Sequence, residues 1–438
     1  MDCGIFQSKD EAEMNNNKNL GFDPESVDYC ILSHAHIDHS GAIPYLVKKG
    51  FKGNIYCTRA TQDLCGIMLI DSAHIQESDV EYLNRRREQK GLSLIEPLYT
   101  IKDAENSLRH FRGLAFNKWT KIDDDIEVCF TVVGHILGAA AVNLRIKDEG
   151  NVYHLCYTGD IGRLNHKIIK NPEPFPQAQY IITESTYGDR LHKDVSQSEE
   201  RLFQIVYNTC VVKKGKLIIP AFSVGRTQEI VYALDRLEAA GKLPPINVFV
   251  DSPLSTNATE IMKNHPECYN DSILEYMETN SDPFGFNRLK YIRDVNESKL
   301  LNSIKEPCII ISASGMMEAG RILHHLRNNI GNKKNTVLVV GYCSPYTLGH
   351  KIARGDKKIK LFGEEINVEA DIETMEEYSA HGDYEEMIEF LKCQDPNQVR
   401  ELYLVHGEYE VQLKYRERLE AAGFNNIRIP DLNSEYLI

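Results

Sequence analysis

Short apolar segments alternate with longer amphipathic segments along most of the chain. The apolar segments are five to seven residues long and end in polar residues or glycine, which is typical of buried strands. We predict strands at 27–33, 53–57, 127–133, 152–158, 180–184, 216–220, 246–250, 307–312, 336–341 and 401–405. Helical periodicity lies at 60–90, 196–213, 227–240, 320–329, 384–392 and 409–422. This alternation predicts α/β layers with functional sites at the strand ends.

Two stretches of the sequence predict limits between domains. The segment 171–177 contains three prolines, which forbid regular structure. The charge-rich stretch 354–373 is a second candidate, where the chain would return to its first domain. At roughly 150 residues per domain, a chain of 438 residues is expected to form two or three domains.

The composition is that of a globular protein and excludes several classes. No stretch approaches the roughly 18 apolar residues of a membrane span, so no membrane association is expected. The 50 lysines and arginines against 64 acidic residues give a net charge of −14, so any nucleic acid must bind in a local groove. The 11 cysteines include no C-x-x-C pair, which predicts reduced thiols in a cytoplasmic protein.

The strongest chemical signal is the segment His34-Ala35-His36-Ile37-Asp38-His39, which follows a predicted strand. Two imidazoles two residues apart at a strand end project into one space, and the Asp-His pair at the next helix start faces them. Four nitrogen and oxygen donors within six residues can serve two divalent ions. Zinc is the usual occupant of such sites when they keep an open position for water.

Two further candidates have similar surroundings. His135 follows the predicted strand 127–133, and Asp160 follows the predicted strand 152–158. Each lies in a glycine-flanked turn, where a side chain can approach a metal without crowding. Alone, either is more often an ordinary turn residue, but beside the histidine segment both become candidate ligands.

These residues, together with Asp2 and three later motifs, resemble a known family. Asp2, the histidine segment, His135 and Asp160 are similar in order and spacing to the metal motifs of the metallo-β-lactamase fold. The later motifs resemble those of its β-CASP nucleases, and they contain Glu184 in ESTYGDR, His381 in SAHGD and His406 in VHGE. The resemblance covers essentially the whole chain and extends to RNA-processing nucleases and the endonuclease of mRNA 3′-end cleavage.

The resemblance implies a particular fold. We expect an αβ/βα sandwich formed by residues 1–185 and 371–438, with a β-CASP α/β domain, 186–370, inserted in it. Such relatives usually begin with a β-hairpin before the Asp2-Cys3-Gly4 motif. We therefore expect either a start further upstream or an exposed sheet edge beside Asp2.

The resemblance also implies two zinc ions and a set of roles. The ligands would be His34, His36, His135 and Asp160 for one ion and Asp38, His39 and His406 for the other, with Asp160 bridging them. Asp38 would thereby share in catalysis, and Asp2 would orient a ligand histidine from outside the ligand set. His381 would give a proton to the leaving oxygen, with Glu184 accepting its other N–H.

The substrate would be single-stranded RNA. Strand ends rich in hydroxyls and backbone N–H groups suit phosphates, so candidate contacts are Ser223, Arg226, Ser312, Ser314 and Thr347. For several of these, a structural role such as a helix cap or an ion pair is as good an explanation. In the loop 341–349, Pro345-Tyr346 departs from the small or polar residues usual in such relatives. For the oligomeric state, a homodimer is one possibility that the sequence leaves open.

The resulting hypothesis is a zinc-dependent RNA phosphodiesterase, acting as an endonuclease, a 5′-exonuclease or both. A hydroxide held by both zinc ions would leave 5′-phosphate and 3′-hydroxyl ends. The alternatives are a DNA 5′-exonuclease, a small-molecule hydrolase and a catalytically inactive scaffold. His406 argues against the first, the inserted domain against the second, and the complete ligand set against the third.

Overall fold

The computed structural model describes residues 1–6, 16–192, 198–375, 379–432 and 434–437. The chain divides into two compact units. Unit 1 comprises Met1–Leu191 and His381–Ile438, and unit 2 comprises His192–Ala380. Among the described helices, none combines the length and the apolar character needed to span a membrane.

Strands make up the layers of both units. In chain order they are β1 (Tyr29–Ile31), β2 (Asn54–Thr58), β3 (Phe111–Leu114), β4 (Thr120–Lys121), β5 (Ile126–Val132), β6 (Ala140–Asp148), β7 (Asn151–Tyr157), β8 (Tyr180–Glu184), β9 (Leu217–Pro220), β10 (Asn247–Val250), β11 (Leu289–Tyr291), β12 (Cys308–Ser312), β13 (Thr336–Val340), β14 (Lys358–Leu361), β15 (Glu364–Asn367), β16 (Asp371–Met375), β17 (Glu401–Val405) and β18 (Ile427–Arg428).

The α-helices connect these strands. In chain order they are α1 (Ile37–Ser40), α2 (Ile43–Lys48), α3 (Arg59–Glu88), α4 (Ile101–Ser107), α5 (Ser198–Val206), α6 (Arg226–Ala239), α7 (Pro253–Lys263), α8 (Asp271–Thr279), α9 (Val295–Ser303), α10 (Ile322–Asn329), α11 (Leu348–Ala353), α12 (Tyr384–Leu391) and α13 (Tyr409–Ala421). A π-helical turn, Tyr207–Val212, continues α5.

Unit 1 is a sandwich of two sheets. The first sheet is parallel and has the order β1-β2-β3, and the second has the order β18-β17-β8-β7-β6-β5-β4. Ile31 of β1 packs in one apolar cluster with Phe130 of β5, Val142 of β6 and Tyr180 of β8, so the sheets share a core. Helices cover this pair of sheets, which is the predicted αβ/βα sandwich.

Unit 2 is built on a parallel sheet with the order β11-β10-β12-β9-β13-β16. Its central strands β12, β9 and β13 are almost wholly apolar and buried, as in the run Cys308–Ser312, because helices cover such sheets on both faces. The core includes Ile218, Ile310, Val337 and Val339. An antiparallel hairpin, β14 and β15, precedes the last strand.

The limits of the units differ from the predicted ones. Strand Asp371–Met375 pairs in parallel with β13 and belongs to the unit 2 sheet, so the chain returns to unit 1 at residue 381 rather than 371. The proline-rich segment 171–177 lies inside unit 1. It has no regular structure, but Phe175 is buried against Phe390 with ring centroids 5.1 Å apart. Prolines therefore mark a packed connection here, not a domain boundary.

Candidate metal centre

The predicted metal ligands meet at strand ends in unit 1. His34 and His36 follow β1, and Asp38 and His39 lie in the short helix Ile37–Ser40 directly after them. His135, Asp160 and His406 follow three other strands, namely β5, β7 and β17. Because these strands end at the same side of the sandwich, residues from four distant parts of the chain form one cluster.

Four donor atoms form the first set, which we call donor set 1. His36 Nδ1 lies 3.1 Å from both His34 Nε2 and His135 Nε2. Asp160 Oδ2 lies 3.5 Å from each of the same two Nε2 atoms. With zinc–ligand bonds of about 2.0–2.1 Å, the corners of a tetrahedron are about 3.3–3.4 Å apart, so donor set 1 matches tetrahedral zinc.

Donor set 2 consists of Asp38, His39 and His406. His406 Nε2 lies 3.5 Å from Asp38 Oδ2. The buried Asp160 connects the two sets, because its second oxygen, Oδ1, lies 3.3 Å from His39 Nε2. One carboxylate thus faces both groups of donor atoms.

Hydrogen bonds fix which nitrogen of each histidine faces the cluster. Ser33 Oγ donates to Asp2 Oδ2 at 2.7 Å, so it accepts from His34 Nδ1 at 3.0 Å. His39 Nδ1 donates to the same Asp2 oxygen at 2.6 Å. Thr186 Oγ1 lies 2.9 Å from His406 Nδ1 and donates to the His406 carbonyl. In all three histidines Nδ1 carries a proton, and Nε2 is the nitrogen that faces the cluster.

Asp2 is the centre of this supporting network. Its carboxylate also accepts from the Ser33 backbone N–H at 2.7 Å and from the Tyr157 hydroxyl at 2.8 Å. The sequence prediction of Asp2 as an orienting residue did not include its partners Ser33 and Tyr157, or Thr186. A hydroxyl residue directly before the first ligand histidine is the one signal that could have revealed Ser33.

The donor atoms are arranged as a cation requires. The Nε2 atoms of His34, His39 and His135 converge on the Asp160 carboxylate at 3.3–3.5 Å. Among the described residues, His39 Nε2 and Asp160 Oδ1 are buried without a hydrogen-bond partner. Burial and neighbouring histidines hold the pKa of His34 and of His135 well below its usual value, so both imidazoles are neutral and ready to ligate. The residues fit divalent zinc.

His381 lies beside the metal ligands without belonging to either donor set. Its Nδ1 is 3.1 Å from Glu184 Oε2, and its Nε2 is 3.9 Å from Asp160 Oδ2. Burial lowers the pKa of His381, but the carboxylates of Glu184 and Asp160 outweigh burial and raise it above its usual value. Glu184 is itself held by the backbone N–H of Ile161. Nε2 of His381 therefore faces the cluster, and Glu184 fixes the opposite edge of the ring at Nδ1.

The five predicted substrate contacts belong to unit 2, whereas the metal ligands belong to unit 1. Buried Arg226 forms an ion pair with Glu229, and the buried hydroxyl of Ser312 donates to the Asp251 carbonyl. Thr347 caps helix α11 by accepting from the His350 N–H. Structural roles therefore account for these three. Ser314 has a structural role as well, because its hydroxyl donates to the Ala319 carbonyl at 3.3 Å. The remaining candidate, Ser223, lies in a half-exposed loop at a strand end.

Models of known families match three successive parts of the chain. Residues 1–163 match the Metallo-beta-lactamase superfamily, and residues 227–352 match the Beta-Casp domain. Residues 365–430 match the Zn-dependent metallo-hydrolase RNA specificity domain. The order of the three matches reproduces the division into a split unit 1 and an inserted unit 2.

Curated relatives match over nearly the whole chain. Ribonuclease TTHA0252 of Thermus thermophilus is 31% identical over 97% of this chain and 90% of its own length. An RNase J-like protein of Methanocaldococcus jannaschii is 30% identical over 95% of this chain and 88% of its own length. Transcription termination factor FttA of Methanococcus maripaludis is 31% identical over 93% of this chain, which spans 63% of that longer protein.

Fold, donor sets and comparisons together define a metal-dependent hydrolase of the metallo-β-lactamase superfamily. Within that superfamily, the chain belongs to the β-CASP ribonuclease family. The resemblance seen in the sequence and the predicted fold class are thereby confirmed.

Proposed function

We propose that this chain is a dizinc ribonuclease that hydrolyses phosphodiester bonds of single-stranded RNA. The observation that carries the proposal is the pair of donor sets sharing one buried carboxylate, Asp160. Two ions held in this way can stabilise both the attacking and the leaving oxygen of a displacement at phosphorus. The names of two relatives, a ribonuclease and an RNase J-like protein, support RNA as the substrate.

Each ligand would be held in a defined orientation. His34, His36, His135 and Asp160 would bind one zinc ion, and Asp38, His39 and His406 would bind the other. When bound, zinc supplies a Lewis acid and brings the pKa of a coordinated water close to neutrality. Asp2 keeps the Nε2 atoms of His34 and His39 facing the donor cluster, through Ser33 in the first case and directly in the second.

His381 would transfer a proton to the departing oxygen. The ribose 3′-oxygen is a poor leaving group and needs an acid within hydrogen-bond reach. Nε2 of His381 is directed at the ligand cluster, while Glu184 holds the opposite Nδ1–H and favours the protonated ring. Because water is the nucleophile, the downstream fragment would carry a 5′-phosphate and the upstream fragment a 3′-hydroxyl.

The chemistry of the product ends tests this proposal. We expect a 5′-labelled single-stranded RNA to give fragments with 3′-hydroxyl ends that a poly(A) polymerase extends without prior phosphatase treatment. Attack by the ribose 2′-hydroxyl would instead give 2′,3′-cyclic phosphates, which block extension, and would refute the mechanism. RNA and DNA oligonucleotides of the same length and sequence, each labelled at either end, are then compared. This comparison separates an RNA-directed endonuclease or 5′-exonuclease from a DNA 5′-exonuclease.

The zinc content tests the division into two donor sets. We expect about two zinc ions per chain in active protein, and about one in the variant His406→Ala, because only donor set 2 loses a ligand. A matched control is His154→Ala, since His154 lies on β7 outside both sets. Elemental analysis that finds one ion in fully active wild-type protein would contradict the proposal.

A further inference from the structure

The unit 2 sheet contains a topological switch point. From β9 the chain passes through α6 to β10, which lies on one side, past β12. From β12 it passes through α10 to β13, which lies on the other side, past β9. In open parallel sheets, ligands bind outside the carboxyl ends of two such neighbouring strands. Here those ends continue into the loops 221–225 and 313–320.

Three aromatic side chains at these strand ends are exposed. Phe222 follows β9 and is 39% exposed, Tyr342 follows β13 and is 48% exposed, and Tyr346 in the same loop is 85% exposed. We call these three residues the aromatic edge. Nearly complete exposure of a tyrosine ring gains nothing in folding stability, because the apolar ring surface stays in water.

Contacts join the loops that carry the aromatic edge. The Phe222 ring lies so close to Gly315 that a Cβ there would meet its Cδ2 at 2.8 Å. The Gly349 N–H donates to the Met316 carbonyl at 3.0 Å, which ties the loop of Tyr342 and Tyr346 to the loop after β12. The three loops that carry the rings therefore lie side by side within unit 2.

The charge of this surface selects among ligand groups. The loops 221–225, 313–320 and 341–349 contain no lysine or arginine and one carboxylate, Glu318. That carboxylate accepts the Leu348 N–H at 2.5 Å. A surface without cations is poorly suited to clamp phosphates, whereas the uncharged faces of nucleobases stack on aromatic rings irrespective of sequence. The Ser314 hydroxyl donates to the Ala319 carbonyl at 3.3 Å, whereas the half-exposed Ser223 hydroxyl, 3.4 Å from that of Ser252, can hydrogen-bond a sugar or base edge.

We propose that the aromatic edge is a base-stacking surface for single-stranded RNA, with Tyr346 as the residue that contributes most to affinity. The proposal rests on the ribonuclease function proposed above and adds to it how the bases are held. Tyr346 is the most exposed of the three rings, so its stacking face is open to a base. Loss of one base–aromatic stack weakens binding by roughly 5- to 100-fold.

The test separates binding from hydrolysis. Tyr346→Ser and Tyr346→Phe are compared with wild type for binding of an oligoribonucleotide containing 2-aminopurine, in EDTA, so that no cleavage occurs. We expect Tyr346→Ser to weaken binding roughly 5- to 100-fold and to abolish the quenching of 2-aminopurine, while Tyr346→Phe behaves as wild type. The control Tyr82→Ser removes a ring that is 60% exposed on α3 of unit 1, and should change nothing.

Salt dependence and a small substrate sharpen the interpretation. Because stacking releases no counterions, the slope of log affinity against log salt should be the same for Tyr346→Ser and wild type. Hydrolysis of the small phosphodiester bis(p-nitrophenyl) phosphate by zinc-loaded wild type serves separately as a measure of the metal centre that needs no RNA.

Three outcomes would overturn the proposal. Binding that is unaffected in Tyr346→Ser removes the stacking role even if the wild type cleaves RNA. A shallower salt slope assigns Tyr346 to a phosphate contact instead. Dissociation of a dimer by Tyr346→Ser, with RNA binding unchanged, assigns the ring to a second copy of the chain. Failure of the ribonuclease function is recognised separately, because zinc-loaded wild type would then hydrolyse neither RNA nor the small phosphodiester.

Discussion

Replacing His381 by alanine is expected to lower the rate of RNA hydrolysis by roughly 10²–10⁴-fold, the usual contribution of a general acid. Zinc content and RNA affinity should stay at wild-type values, because His381 belongs to neither donor set. The measurement is single-turnover cleavage at saturating enzyme, with elemental analysis of the same sample. Full activity of His381→Ala would remove the proton-donor role from this residue.

Glu184→Gln is the companion variant for this experiment. The amide can keep a hydrogen bond to His381 Nδ1 but no longer supplies the negative charge that favours the protonated ring. We therefore expect a milder loss of rate than in His381→Ala, again with zinc retained. A loss of zinc in Glu184→Gln would instead place Glu184 among the groups that hold the metal.

Replacing Asp160 by alanine is expected to abolish zinc binding at both donor sets. Its two oxygens lie 3.5 Å and 3.3 Å from ligand nitrogens of donor sets 1 and 2, so a single truncation removes a ligand from each. Zinc at about 1,000 times its dissociation constant stabilises a folded protein by about 4 kcal/mol. Asp160→Ala should lose that stabilisation, seen as a melting temperature that is the same with zinc and with EDTA.

A surface aspartate provides the control for this variant. Asp124 is exposed and pairs with Lys121 outside the metal cluster, so Asp124→Ala should keep the zinc-dependent rise in melting temperature. An undiminished rise in Asp160→Ala would show that the carboxylate does not connect the two sets. Metal-free Asp160→Ala should still fold, because the variant also removes a buried carboxylate that has an oxygen without a hydrogen-bond partner among the described residues.

The sequence was most informative where function and local structure coincide. The segment from His34 to His39 could be interpreted from spacing, because a strand end and a helix start place donors a few residues apart. His135 and Asp160 could be inferred from strand ends between glycines. His381 could be assigned only by resemblance, since its partner Glu184 is 197 positions away and no local pattern connects them.

Physical reasons also explain what the sequence left out. Strand Ala140–Asp148 was not predicted, because its second half is half-buried or exposed and polar, which breaks the apolar run. The domain return was placed ten residues early, since the half-buried strand Asp371–Met375 lies in a charge-rich stretch yet pairs with β13. Both strands form because they pair with neighbouring strands of a sheet, and local composition does not reveal that pairing.

The insertion of unit 2 between Asp160 and His406 sets an order of events during biosynthesis. All of donor set 1 lies within the first 160 residues of the chain, whereas donor set 2 needs a histidine from the return segment. At roughly 5–20 residues per second, the ribosome adds the intervening chain in roughly 10–50 s. On the proposed dizinc function, a nascent chain would be able to acquire its first zinc ion while unit 2 is still being translated. Its second site would be completed only after His406 emerges, so a translating ribosome would carry an incomplete nuclease next to the messenger RNA that encodes it.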